Sequence, residues 1–145
     1  MRRIMLVLLP LLAACDNPTR PPAVFQVRSD AYSYEAGWHA YAPLVAGTLS
    51  FTVAADSSIS GNWSIKWLPG ADSTAQIGSQ VGQGRLTGFV TDSMLVISLN
   101  PDSWDNNVYL HAQSATPDRI EGHWDWSGFT GPISRGTFTA GRMSR

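Results

Sequence analysis

The chain has 145 residues, enough for one domain with a sizeable core, and carries 10 Lys and Arg against 11 Asp and Glu, for a net charge of −1. There is no basic excess to meet phosphate, which argues against a nucleic-acid partner and against charge-driven attachment to anionic lipid. Charged residues are 14% of the chain, well under the usual quarter, and the single cysteine allows no disulfide within it, so packing must stabilise a largely neutral, polar-surfaced body.

Met1-Arg2-Arg3 gives a positive start, and Ile4 to Leu12 is an apolar run of nine residues, followed by Ala13, Ala14 and Cys15. That is the three-part layout of a secretory signal peptide. As a helix the run spans about 14 Å, roughly half a bilayer core, so it is not a permanent membrane span. Arg2-Arg3 directly follows Met1 and reads as a plain positive region rather than a twin-arginine export motif. Leu12-Ala13-Ala14-Cys15 resembles the bacterial lipobox. The resemblance implies a diacylglyceryl group and fatty acylation on Cys15 after cleavage before it, with palmitate as the expected label. Each buried methylene contributes about 0.8 kcal/mol, and several chains turn marginal attachment into stable anchoring. An ordinary signal peptide cut nearby would instead leave a lone thiol on an exported protein, so lipidation is the preferred reading. It places the chain on the extracytoplasmic, periplasmic face of a bacterial envelope. Asp16 resembles an inner-membrane retention signal, but the sequence leaves the choice of membrane open. Cleavage takes Lys and Arg from 10 to 8, leaving the mature chain mildly acidic.

Asp16 to Ala23 (DNPTRPPA) holds three prolines in eight residues, which excludes a regular helix or a central strand. With Cys15 it reads as an extended tether, residues 15–23, ahead of a single β domain over 24–145. Val24 to Arg28 is expected to form a first strand. Ser29 to Pro43, with Tyr32, Tyr34, Trp38, His39 and Tyr41, shows no clear period and reads as an aromatic-rich loop with room for a short strand or a helical turn. From Val45 the period becomes two. Val45, Gly47, Leu49, Phe51 and Val53 share one face, and Ile59, Gly61, Trp63, Ile65 and Trp67 share the next after the turn Asp56-Ser57-Ser58. Leu68 to Gln80 is a loop. Gly84 to Val90 and Met94 to Leu99 make a second hairpin, and Asn100 to Asn107 a further loop. Val108, Leu110 and Ala112 alternate with Tyr109, His111 and Gln113. Ile120, Gly122, Trp124 and Trp126 alternate with Glu121, His123 and Asp125, and Ile133 to Gly141 is a last strand.

Seven or eight strands joined by short turns predict an all-β, antiparallel up-and-down meander. One apolar face and two edges must be hidden, so closure into a small barrel is expected, with a two-sheet sandwich as the alternative. Ile59-Ser60-Gly61-Asn62-Trp63 and Ile120-Glu121-Gly122-His123-Trp124 share Ile-x-Gly-x-Trp, and Gly47 to Thr52 echoes Gly136 to Thr139. In a barrel strand such a glycine permits a sharp bend, and the tryptophan two residues on fills the space. Over roughly 45–142 this pattern resembles the small lipocalin-like or avidin-like meander barrels of exported bacterial proteins. Gly37-Trp38 lacks the spacer of the lipocalin Gly-x-Trp signature. The resemblance implies a carrier for a small apolar molecule.

Six tryptophans are the candidate contact residues. Trp63, Trp67, Trp124 and Trp126 fall on inward faces, where core filling competes with lining a ligand pocket. Trp38 lies in the first aromatic loop. Trp104 lies in a polar loop, where it either packs locally or touches a partner or lipid. His39, His111 and His123 lack metal-ligand spacing, and His111 and His123 are expected to point outward. Arg119, Glu121, His123 and Asp125 line one strand face, which is how a solvent face looks. No nucleophile elbow, phosphate loop or metal motif is present, so no catalytic residue, metal or cofactor is assigned. The expectation is a non-enzymatic, membrane-anchored accessory module docking on an envelope or membrane protein complex. The alternative is a carrier of a small apolar ligand.

Overall fold

The structure, a computed structural model, describes residues 25–39 and 42–144. The expected signal peptide, Cys15 and the proline-rich tether lie outside the described residues, as do Val24 and Tyr41. Eight strands follow one another: β1 Asp30–Gly37, β2 Pro43–Val53, β3 Ser58–Trp67, β4 Gly82–Val90, β5 Leu95–Ser98, β6 Asn106–Ala115, β7 Arg119–Gly128 and β8 Gly131–Arg142. Each pairs antiparallel with the next, and β8 returns to β1 through Tyr32↔Arg142 to Gly37↔Thr137. The sheet is therefore a closed up-and-down barrel, not a sandwich. Closure satisfies the backbone groups that a terminal strand would expose.

Two sequence expectations change. Phe25 to Arg28 is not a strand, and the aromatic segment from Ser29 is not mainly loop but holds the full eight-residue strand β1, longer than the short strand its sequence allowed for. Tyr32, Tyr34 and Ala36 alternate with Ser33 and Glu35 and are fully or almost fully buried. Period two was present there, but Trp38, His39 and Tyr41 beyond the strand blurred it. Phe25 to Ser29 instead crosses one end of the barrel as a strap. Its backbone bonds Phe25 N–H to Asp92 O and Gln26 N–H to Ala115 O, while Phe25 and Val27 pack on the core.

The two barrel ends differ. The strap end carries the short connections 54–57, 91–94 and 116–118. The opposite rim carries the connections 38–42, 68–81 and 99–105 and the β7–β8 turn at 129–130. Each buried tyrosine ties the wall to one closure. Tyr32 stacks on Phe51 at 5.0 Å and donates its hydroxyl to Arg28 O at 3.0 Å, in the strap. Tyr34 stacks on Phe138 and donates to Gln80 Oε1 at 2.9 Å, in the 68–81 loop. Complete burial pushes the Tyr34 phenol far above its ordinary pKa, so it remains a neutral donor.

The repeated Ile-x-Gly-x-Trp segments behave as their spacing predicts. A Cβ on Gly61 would lie 2.0 Å from Ser50 O, and one on Gly122 would lie 2.0 Å from His111 O. Only glycine admits that approach of the neighbouring backbone. Trp63 and Trp124 are buried two residues on, donating Nε1–H to Leu99 O and, at 3.1 Å, to Gly37 O. The partner glycines complete the repeat. Trp63 lies opposite Gly84, and Trp124 opposite Gly136. The structural counterpart of Gly136 is therefore Gly84 rather than Gly47.

Candidate functional site

The barrel sorts the six tryptophans by height. Trp63 and Trp124 fill the interior, and with Tyr32, Tyr34, Leu49 and Leu110 they occupy the lumen. Trp67 and Trp126 face inward but sit where β3 and β7 reach the long-loop rim, and they are only half-buried. They pack against the core from the rim, on the inward faces their alternation predicted. The strands simply run past the top of the core. Trp38 leaves β1 at the same rim and leans over Trp124 at 5.5 Å. Trp104 is 95% exposed in the 99–105 loop.

The 68–81 loop closes this rim as a lid. Asp72 caps its first turn by accepting from Thr74 N–H and Oγ1, which holds the Asp72 carboxyl below its ordinary pKa. Gly78 takes a φ of +71° directly over Trp126, where a Cβ would come within 2.4 Å of the indole. Gly78 therefore meets both a conformational and a steric requirement. Ile77 is buried under the lid, and Gln80 folds inward to give Nε2–H to Ile77 O at 2.6 Å. Ser79 Oγ reaches Asn106 O, and Ser134 Oγ reaches Gln76 O. Between lid and wall an open apolar depression of about 520 Å³ is lined by Trp67, Ala75, Ile77, Val81, Trp126 and Ile133. Phe129, 94% exposed, marks the tip of the neighbouring β7–β8 turn. Sequence reasoning did not single out Phe129, Ile133 or the lid. Phe129 between Gly128 and Gly131, with Thr130 alone beside it, was the available signal, since an aromatic in a tight turn has little to pack against.

A second cluster lies on the outer wall. Asp125 points outward, yet only 7% of it is exposed. Its Oδ1 takes Arg135 Nε–H at 2.5 Å, and its Oδ2 lies 3.5 Å from Nε2 of both His111 and His123. The two imidazoles stack at 5.1 Å and 16°. His111 and His123 point outward, in line with the alternation. The row on β7 divides, however: Arg119 pairs with Glu121 in solvent, while His123 and Asp125 belong to a three-strand cluster. Desolvation holds His111 below its ordinary pKa, opposed by the Asp125 charge. The cluster surrounds a carboxylate with donors and presents no nucleophile. His39 stands apart at the long-loop rim, beside Gly37 and Pro43. Among the described residues, no group of three or more His, Cys, Asp or Glu is placed to hold a metal ion.

No protein-family model, curated protein or solved structure matches this chain.

Proposed function

We propose that the chain is a bacterial lipoprotein, held by lipid on Cys15 at the extracytoplasmic face of the cell envelope. Its barrel is a non-enzymatic accessory module that docks through its long-loop rim on an envelope or membrane protein complex. The observation that carries this reading is the polarity of the barrel. The chain enters at the strap end, where Phe25 crosses beside Asp92 and where Phe89, Met94 and Met143 are partly exposed, whereas the two most exposed aromatics, Phe129 and Trp104, lie at the opposite end with Trp38, Val81 and Ile133. The ten residues 15–24, if extended, reach about 30 Å, enough to lift the barrel clear of head groups. An exposed aromatic cluster around a shallow apolar depression is the composition of a protein contact surface. The carrier alternative needs an open lumen. Trp63, Trp124 and the two core tyrosines occupy it, and Ile77 with Gln80 caps it.

The test is copurification of tagged full-length protein from gently solubilised membranes. The expected result is a larger assembly that the double variant Phe129→Ser, Ile133→Ser no longer enters while remaining in the membrane fraction. A wild-type protein that always runs alone overturns docking. Failure of radiolabelled palmitate to enter the wild type, or its retention in Cys15→Ala, overturns the anchor.

A further inference from the structure

We propose that the outer wall of β2, β3 and β4 is a second binding site, a groove that takes a neutral saccharide chain. An open concave feature of about 750 Å³ lies here, on the outer wall and away from the rim and the lumen. An adjoining depression of about 500 Å³ shares Ser50, Asn62 and Arg85 with it, so the trough continues along the strands.

Strand register arranges its floor as two parallel rows of outward side chains. Ser50, Asn62 and Arg85 lie opposite one another on β2, β3 and β4, and Thr52, Ser60 and Thr87 form the next row. Within a row the residues are about 4.8 Å apart, and the rows are about 7 Å apart. Gly61 lies between the two rows and lines the groove, where Ser50 O stands in the space a Cβ would take.

The lining specifies the ligand's chemistry. Five of the six floor residues are neutral hydroxyls or amides that both donate and accept, the complement of a sugar hydroxyl. The sixth, Arg85, is committed: Nη2 bonds both Asp102 carboxylate oxygens, at 2.9 and 3.2 Å. The pair offers hydrogen-bonding groups without net charge, so an anionic ligand meets a cation that already has a partner. Ala31, Phe51, Leu86 and Pro101 add apolar surface between the polar rows, suited to the C–H faces of a sugar, and Asp30 adds a carboxylate that disfavours an anionic ligand. Asp102 and Pro101 bring the 99–105 loop to the head of the trough, and Trp104, two residues on, stands almost fully exposed. An indole face there can stack on the C–H face of a pyranose ring while the floor hydrogen-bonds its hydroxyls.

The proposal does not depend on the lipid anchor or on rim docking. It is tested by calorimetric titration of the full chain in detergent with chitotetraose and cellotetraose, two neutral tetrasaccharides that differ in their acetamido groups, and with an acidic heparin tetrasaccharide. Saturable binding of at least one neutral sugar is expected. It should weaken about tenfold or more in the double variant Trp104→Ala, Asn62→Ala, the scale of one lost stack and one lost hydrogen bond. The rim variant Phe129→Ser, Ile133→Ser should bind as tightly as wild type. Binding of neither neutral sugar at millimolar concentration, binding of heparin alone, or unchanged affinity in the double variant overturns the proposal.

Discussion

An inward glycine in this barrel lets one strand press onto its neighbour and leaves room beneath for a large ring. Gly122 brings β7 against the His111 carbonyl, and Trp124 follows on the same face. That pairing was legible in the sequence because it needs only period two and one residue without a side chain. The carboxylate of Asp125 was not legible. Its partners come from three strands, and nothing in Glu121-Gly122-His123-Trp124-Asp125 shows that His111 will lie across from His123. The cluster sets a pH dependence. Desolvation lowers the His111 pKa in the folded state below the ordinary His value of about 6.5. The unfolded chain therefore binds the proton first. The neutral ring's contribution is complete above about pH 6.5 and is lost as pH falls from there through the folded-state value. Urea midpoints measured at pH 7.5 and 5.5 should fall on acidification, and by less in His111→Gln. An identical fall in the variant would remove His111 as a source of the dependence.

The elements divide by how local their causes are. β2 through β8 announce themselves by alternation, and the turns between them by Asp, Ser, Thr and Gly. The strap and the lid do not, because neither is periodic. Each is a closure whose shape is set by the barrel end it covers. The strap is held by backbone bonds and by the Tyr32 hydroxyl, and the lid by Gln80, Ser79 and a glycine over Trp126. Ile77 is the lid residue with most to lose. It is 2% exposed, against 46% for Ile133 on the other side of the same depression. Ile77→Ala should therefore destabilise by about 2–5 kcal/mol, the range for a large-to-small change at a buried site. Ile133→Ala should fall within about 0.5 kcal/mol of wild type. Denaturant midpoints with unchanged slope would measure both. A neutral Ile77→Ala would mean the lid packs on nothing it needs.

At the scale of the whole molecule, the up-and-down meander decides which connections share an end. With eight strands, every odd-numbered strand ends at the rim and every even-numbered one at the strap end. The two long loops after β3 and β5, the Trp38 segment and the Phe129 turn therefore gather on one side without any further signal. β8 has 12 residues, about 40 Å along the strand. With strands tilted about 35–45° in a barrel, the axial height is about 30 Å. If the anchor is the lipid on Cys15, Ser93 in the β4–β5 turn lies near the bilayer and Thr130 in the β7–β8 turn far from it. The sequence makes this measurable, because Cys15 is the only cysteine and the proposed lipidation would block its thiol. A cysteine introduced as Ser93→Cys or Thr130→Cys is then the sole site for a fluorophore. Energy transfer to a head-group acceptor in vesicles should be strong from position 93 and weak from position 130. Equal transfer from both would lay the barrel on its side and bring the side wall, not the rim, to face the envelope.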